Sequence, residues 1–110
     1  MKIALFGQYY QNSTAETVQK VVSFLESKEI EIAFETHFLA TIKEKNIVSK
    51  NYETYSNYTT LNTDYKALIS IGGDGTILKA ATFVRDKNIP IIGINAGRLG
   101  FLATIQFDNI

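Results

Sequence analysis

Hydrophobic positions along the chain change period several times, and the changes mark the elements. Lys2–Phe6 is a short apolar run closed by Gly7, the pattern of a buried strand. Gln8–Asn12 is polar and reads as a loop. Ser13-Thr14-Ala15-Glu16 has the spacing of a capping box, in which the serine and the glutamate satisfy unpaired amides at a helix start. Val18, Val21, Val22 and Leu25 follow at i, i+3, i+4, i+7 and so share one helical face. Lys28 closes that helix, at the end where a cation is favoured. Ile30, Ile32 and Phe34 then alternate with Glu31, Ala33 and Glu35, which predicts a strand with one wetter face. Phe38, Leu39 and Ile42 predict a short second helix.

The stretch Asn46–Thr63 is rich in Asn, Tyr, Thr and Ser and has no clean period, so it reads as mostly loop, with Tyr52, Tyr55 and Tyr58 packing it down. Order returns at Tyr65. Ala67–Ile71 reads as a strand running straight into Gly72-Gly73-Asp74-Gly75-Thr76. A helix follows, with Ile77, Ala80, Ala81 and Val84 again on one face; Lys87-Asn88 ends it and Pro90 prevents its continuation. Ile91–Ile94 is a further buried strand, followed by Asn95-Ala96-Gly97-Arg98-Leu99-Gly100 and a last apolar run, Phe101–Ala103. Strands alternating with helices imply a parallel sheet covered on both faces. In such sheets ligands bind beyond the carboxyl ends of the strands, and both glycine-rich loops fall there.

Composition narrows the class. At 110 residues and 45% hydrophobic the chain fits one domain with a single core. Eleven basic residues balance eleven acidic ones, so no global field points to nucleic acid or a membrane surface. The absence of cysteine excludes disulfides and thiolate metal sites. No run approaches the roughly 20 apolar residues of a membrane span, and Met1–Gly7 is too short for a signal peptide's core. The expectation is a soluble, cytoplasmic protein that binds neither nucleic acid nor membrane.

Six of the seven glycines lie between Gly72 and Gly100. A glycine-rich turn between a strand and a helix lets a ligand approach the main chain, and the helix start adds free amides and partial positive charge suited to phosphate. The loop lacks the Gly-Lys-Ser/Thr of a Walker A motif and is not G-x-G-x-x-G. Its unusual element is Asp74. A loop that only cradled phosphate would not place a carboxylate among its amides; one here suits a group that accepts a proton from an attacking hydroxyl or organises a nucleotide-bound metal. The helix start depresses its pKa, which phosphoryl transfer tolerates because its loose transition state asks mainly for positioning. The structural alternative is that aspartate is a favoured N-cap and Asp-Gly a common turn. His37 has no metal-ligand partner at a useful spacing and reads as a surface or helix-end residue.

Gly72-Gly73-Asp74-Gly75-Thr76 at a strand–helix junction resembles the superfamily shared by NAD kinases, diacylglycerol and sphingosine kinases and, more distantly, phosphofructokinases. Gly93-Ile94-Asn95-Ala96-Gly97-Arg98-Leu99-Gly100-Phe101-Leu102 looks like the G-x-N-x-G-x-L-G-F-L signature of NAD kinases. The glycine-rich segment leading to Asn-Asp expected of the lipid kinases does not occur. The resemblance implies a Rossmann-like, three-layer α/β domain with a mostly parallel sheet, the N-terminal domain of an NAD kinase fold. It implies that ATP or polyphosphate, with Mg²⁺ or another divalent cation, phosphorylates the adenosine-ribose 2′-hydroxyl of NAD to give NADP.

By position, Asp74 matches the family's catalytic aspartate, the proposed base for the 2′-hydroxyl. Gly72, Gly73, Gly75 and Thr76 match the loop at the phosphate donor and shared active site. Leu78 and Phe101 match apolar residues lining the adenosine pocket, with burial in the core as the alternative. Arg98, at a position that varies in the family and is often basic or polar, is read as reaching a phosphate; Lys79 and Asn95 complete the nucleotide-binding set, the alternatives being a solvated surface charge for Lys79 and Arg98 and a turn former for Asn95. NAD kinases continue into a second, mostly β domain, expected to be missing from residues 1–110, and assemble as homo-oligomers. The expectation is therefore a fragment, inactive alone, whose Leu102, Ile105, Phe107 and Ile110 lack some of their natural cover. A lipid kinase domain and a non-catalytic nucleotide-binding domain are the competing readings.

Overall fold

The apolar run after Met1 forms the centre of a sheet. The computed structural model of the chain describes residues 1–8, 12–57, 59–61, 64–94 and 102–105, with Asn12, Ser13, Asp74 and 102–105 described by their backbone. The elements are β1 (Lys2–Gly7), α1 (Asn12–Ser27), β2 (Glu31–Glu35), α2 (Thr36–Glu44), β3 (Glu53–Tyr55), β4 (Tyr65–Ile71), α3 (Asp74–Val84), β5 (Ile91–Ile94) and β6 (Leu102–Ile105). Among the described residues the sheet has six strands in the order β3-β2-β1-β4-β5-β6. The first five are parallel to one another, and β6 runs antiparallel to β5, pairing Ile91 with Ile105 and Ile94 with Leu102.

Each face of the sheet carries its own core. On one face Ile3, Leu5, Ile32, Phe34, Ile69 and Ile71 meet Val18, Val22 and Leu25 of α1 and Phe38, Leu39 and Ile42 of α2. On the other, Ala4, Phe6, Ala33, Leu68 and Ile91 meet Ala80, Phe83 and Val84 of α3 together with Tyr55 and Leu61. This is the three-layer, mostly parallel α/β arrangement expected from the alternation of periods. Phe83 fixes α3 through tilted and edge contacts with Phe6 (5.2 Å between centroids) and Tyr55 (5.7 Å), a geometry worth about 0.5–1.5 kcal/mol per pair beyond area burial.

A register shift between Lys2 and Ile3 against β4 accommodates one extra residue there. Its effect is that Tyr65 and Ala67, two apart, point to opposite cores while Lys66 stays exposed.

Two sequence expectations change. The capping box places a helix boundary at Ser13, yet α1 begins at Asn12, so Ser13 lies inside its first turn. Thr14 and Thr17 are buried and extend the face of Val18, Val22 and Leu25 upstream, so packing sets the helix start. Second, β2 has no wet face beyond Glu31: Ala33 is fully buried and Glu35 is 4% exposed. The cause is β3, which makes β2 an interior strand and brings Tyr55 over it. Among its described residues Asn46–Thr63 is mostly loop, as expected, apart from the three residues of that strand. Tyr52 packs edge-on against Phe34 at 5.0 Å, and buried Tyr55 donates its hydroxyl to the Leu5 carbonyl at 2.9 Å. Tyr58 lies outside the described residues, as do Phe107, Ile110 and the second glycine-rich loop from Asn95 to Phe101.

On the α1 side an apolar groove of about 420 Å³ runs over Ile69, Ile92 and Ile94, bordered by Val21 and the exposed Phe24. Among the described residues no helix is long and apolar enough to cross a membrane.

Candidate functional site

Parallel strands bring their carboxyl ends to one edge, here Gly7 (β1), Glu35 (β2), Tyr55 (β3), Ile71 (β4) and Ile94 (β5). From β1 the chain winds outward through β2 and β3, then returns past β1 to β4. The sheet therefore reverses direction between β1 and β4, the place where an α/β sheet opens a crevice for a ligand. The Gly72–Thr76 loop leaves β4 at this point.

Two main-chain bonds hold the edge together. The Gln8 N–H donates to the Ile71 carbonyl at 3.3 Å, and the Gly72 N–H donates to the Ile94 carbonyl at 2.9 Å. Gly72 has φ +152°, and a Cβ there would fall on the Thr76 hydroxyl and 3.0 Å from Thr76 Cβ. Glycine is thus required by both conformation and space. Gly73 is the N-cap of α3, in an extended conformation, and Asp74 is the first helical residue. The N-cap alternative for Asp74 therefore does not hold. The Thr76 and Ile77 amides return to the Gly73 carbonyl at 3.1 and 3.3 Å, which leaves the amides of Asp74 and Gly75 as the leading donors of the helix.

The remaining predicted residues separate. Gly75 is exposed, and among the described residues nothing from beyond its own turn lies within 4 Å of where its Cβ would be; the same holds at Gly73. Thr76 is fully buried and donates its hydroxyl to Gln8 Oε1 at 2.9 Å. Leu78 is 71% exposed, so it is no part of the core described here. Lys79 is exposed and borders a cleft of about 270 Å³ whose floor is Phe6, Gly7 and Gln8. Asn95, Arg98 and Phe101 lie outside the described residues.

The opposite wall of the cleft contains residues that the sequence reading passed over: Glu35, Phe38 and Thr41, with His37. Glu35 caps α2. Its Oε1 accepts the Phe38 N–H and its Oε2 the His37 N–H, both at 2.9 Å, while Oε2 also lies 3.0 Å from His37 Nδ1. The sequence carried only a weak signal for this, because glutamate is outside the usual N-cap set and its longer side chain rarely folds back onto the helix start. His37 keeps 92% of its side chain exposed, as expected, yet it stands on the cleft rim. Gln8 was legible only as the polar residue following a strand. Among the described residues no three His, Cys, Asp or Glu side chains gather as a metal site.

The sequence profile of the ATP-NAD kinase N-terminal domain matches residues 3–110. The chain belongs to the NAD kinase family. Relatives include the NAD kinases of Flavobacterium johnsoniae, 51% identical over 110 residues, and Flavobacterium psychrophilum, 48% identical over 110 residues. In both cases the similarity covers 100% of this chain and 37% of the relative. The NAD kinase of the distant Methanothermobacter thermautotrophicus is 29% identical over 110 residues, covering 100% of this chain and 36% of the relative. The chain thus spans little more than a third of the length of these relatives. Family membership places it with the NAD kinases and not with the lipid kinases, as the second motif implied.

Proposed function

We propose that this chain is the N-terminal domain of an enzyme that transfers a phosphoryl group from ATP or polyphosphate to the adenosine-ribose 2′-hydroxyl of NAD, giving NADP. The observation that carries the reading is the position of Asp74. It is the first residue of α3, behind a glycine turn, at the carboxyl edge where the sheet reverses direction.

In this reading the backbone of Gly72, Gly73 and Gly75, with Thr76 packed beneath it, forms the floor against which donor phosphates and the acceptor ribose meet. The Asp74 carboxylate takes the proton of the 2′-hydroxyl as its oxygen bonds to the γ-phosphorus. The bond from that phosphorus to the bridging oxygen breaks, and ADP leaves with the electron pair. A divalent cation bound to the donor phosphates neutralises their charge. Lys79, on the cleft rim, serves a phosphate, and exposed Leu78 offers an apolar surface to the adenine. Asn95, Arg98 and Phe101 join this set on the strength of the family motif alone, Arg98 toward a phosphate and Phe101 toward the adenosine. The remainder of the longer polypeptide completes the acceptor pocket and carries the homo-oligomeric contacts.

The test is NADP formation from NAD, ATP and Mg²⁺ by this chain and by the same polypeptide extended to the length of its relatives. Turnover is expected only in the longer protein, with Asp74→Asn lowering kcat there by about 10²–10⁴ while the fold is kept. Near-normal turnover by Asp74→Asn would remove it as the base. No turnover in either length would leave the non-catalytic nucleotide-binding reading.

A further inference from the structure

The α3 start is a poorly braced element. Gly73 and Gly75 have no side chains, among the described residues no atom from beyond their own turn lies within 4 Å of where their Cβ atoms would be, and Gly72 adopts φ +152°. Nothing on the glycines themselves keeps the first turn from pivoting, yet a proton-accepting carboxylate at Asp74 needs a fixed position. Thr76 is the first side chain of the loop to reach the interior, where it is fully buried. It packs beneath Gly72, at the place a Cβ would need, and its hydroxyl donates to Gln8 Oε1 at 2.9 Å across 68 residues of sequence. Gln8 is itself held to the edge of β4 by its N–H on the Ile71 carbonyl, and it forms part of the cleft floor.

We infer that Gln8 and Thr76 form a clamp across the β1–β4 crevice that sets the position of the α3 start, making both positioning residues for Asp74. Thr76 acts from below the loop, through its hydroxyl, and the β1 end becomes part of the active-site scaffold. A carboxylate displaced by about 1 Å loses roughly 10²-fold in rate, whereas binding through the open glycine amides is less sensitive to such a tilt. The clamp should therefore appear in kcat and not in KM. Reading it through turnover rests on the NAD kinase assignment.

The experiment is a double-mutant cycle in the full-length polypeptide: Thr76→Val, Gln8→Leu, both together, and Thr76→Ser as the conservative variant. Each single variant is expected to lower kcat by roughly 10- to 100-fold, with KM for NAD and ATP moving less than about 3-fold. The double variant should be no slower than the worse single one, because both remove the same bond. Thr76→Ser, which keeps the hydroxyl, should recover most of the loss.

Additive losses, unchanged kcat, or failure of Thr76→Ser to recover would overturn the clamp. A loss confined to KM would overturn it too, making Thr76 a ligand contact. If the unmodified polypeptide forms no NADP, the functional reading falls by itself. The clamp is then decided by melting temperatures of the same proteins: non-additive shifts with recovery in Thr76→Ser uphold it, and additive shifts overturn it.

Discussion

Gly75→Ala separates what the fold needs from what a ligand needs. Gly75 lies in the first turn of α3, it is exposed, and among the described residues an added methyl meets nothing beyond its own turn within 4 Å. Alanine also narrows the unfolded ensemble and suits a helix better, an effect of about 0.5–1 kcal/mol in a helix interior and less in a first turn. The protein should accordingly become slightly more stable, by about 0.3–0.8 kcal/mol. The same methyl would stand over the amide that α3 offers to phosphate, so turnover in the full-length enzyme should fall about 10-fold or more.

Gly7→Ala provides the opposite signature. Its Cβ would sit 2.7 Å from the Ile71 carbonyl oxygen and 2.8 Å from the Phe38 ring. One of these neighbours is backbone, so the ends of β1 and β4 must part or α2 must shift. Overpacking of this kind costs about 1–3 kcal/mol. Urea unfolding measures both variants: with a slope of about 1–3 kcal/mol per molar, Gly7→Ala should lower the midpoint by several tenths molar or more, and Gly75→Ala should raise it slightly. NADP formation, measured alongside, reports the second effect. The reasoning fails if Gly75→Ala is destabilised by about 1 kcal/mol or keeps full turnover. It fails equally if Gly7→Ala unfolds at the unmodified midpoint.

Two further predictions concern groups the folded state holds in place. Glu35→Ala removes the cap on two α2 amides, so it should cost about 1–2 kcal/mol in urea unfolding, with Glu35→Asp retaining part of the cap; no loss would mean that the buried carboxylate is not the brace of α2. At alkaline pH three tyrosines act in one direction. Burial first, then Glu26, pushes Tyr52 up to about 12; burial first, then Glu35, pushes Tyr55 well above its ordinary value; and burial raises Tyr65. A raised folded-state pKa means that stability is complete below the unfolded value near 10 and drains away as pH rises from there through the folded values. Unfolding between about pH 9 and about pH 12 should show this decline, and Tyr55→Phe should make it shallower while costing about 1 kcal/mol at neutral pH through the lost hydrogen bond to the Leu5 carbonyl. A decline equally steep in Tyr55→Phe would refute its share.

Residues that act through their neighbours along the chain were readable from sequence. The faces Val18-Val22-Leu25 and Ile77-Ala80-Val84 repeat at helical spacing, and each packs as the spacing requires. A run of apolar residues ending in Gly-Gly-Asp-Gly-Thr marks a strand, a turn and a helix start whatever the rest of the chain does. Those local signals also located the candidate site, since loops after parallel strands gather at one edge.

What the tertiary structure decided depends on contacts between distant segments. Glu53–Tyr55 has no periodic signature and becomes a strand only because β2 offers an edge to pair with. Tyr55 of that strand shares a core with Ala33, and the apparently solvent-facing Glu35 is buried as the cap of α2. Thr76 and Gln8 stand 68 residues apart and meet only because strand order sets β1 beside β4. Periodicity reports which way a side chain faces within its own element; it carries no information about which element will lie opposite, and that choice settles burial, pairing and the shape of the site.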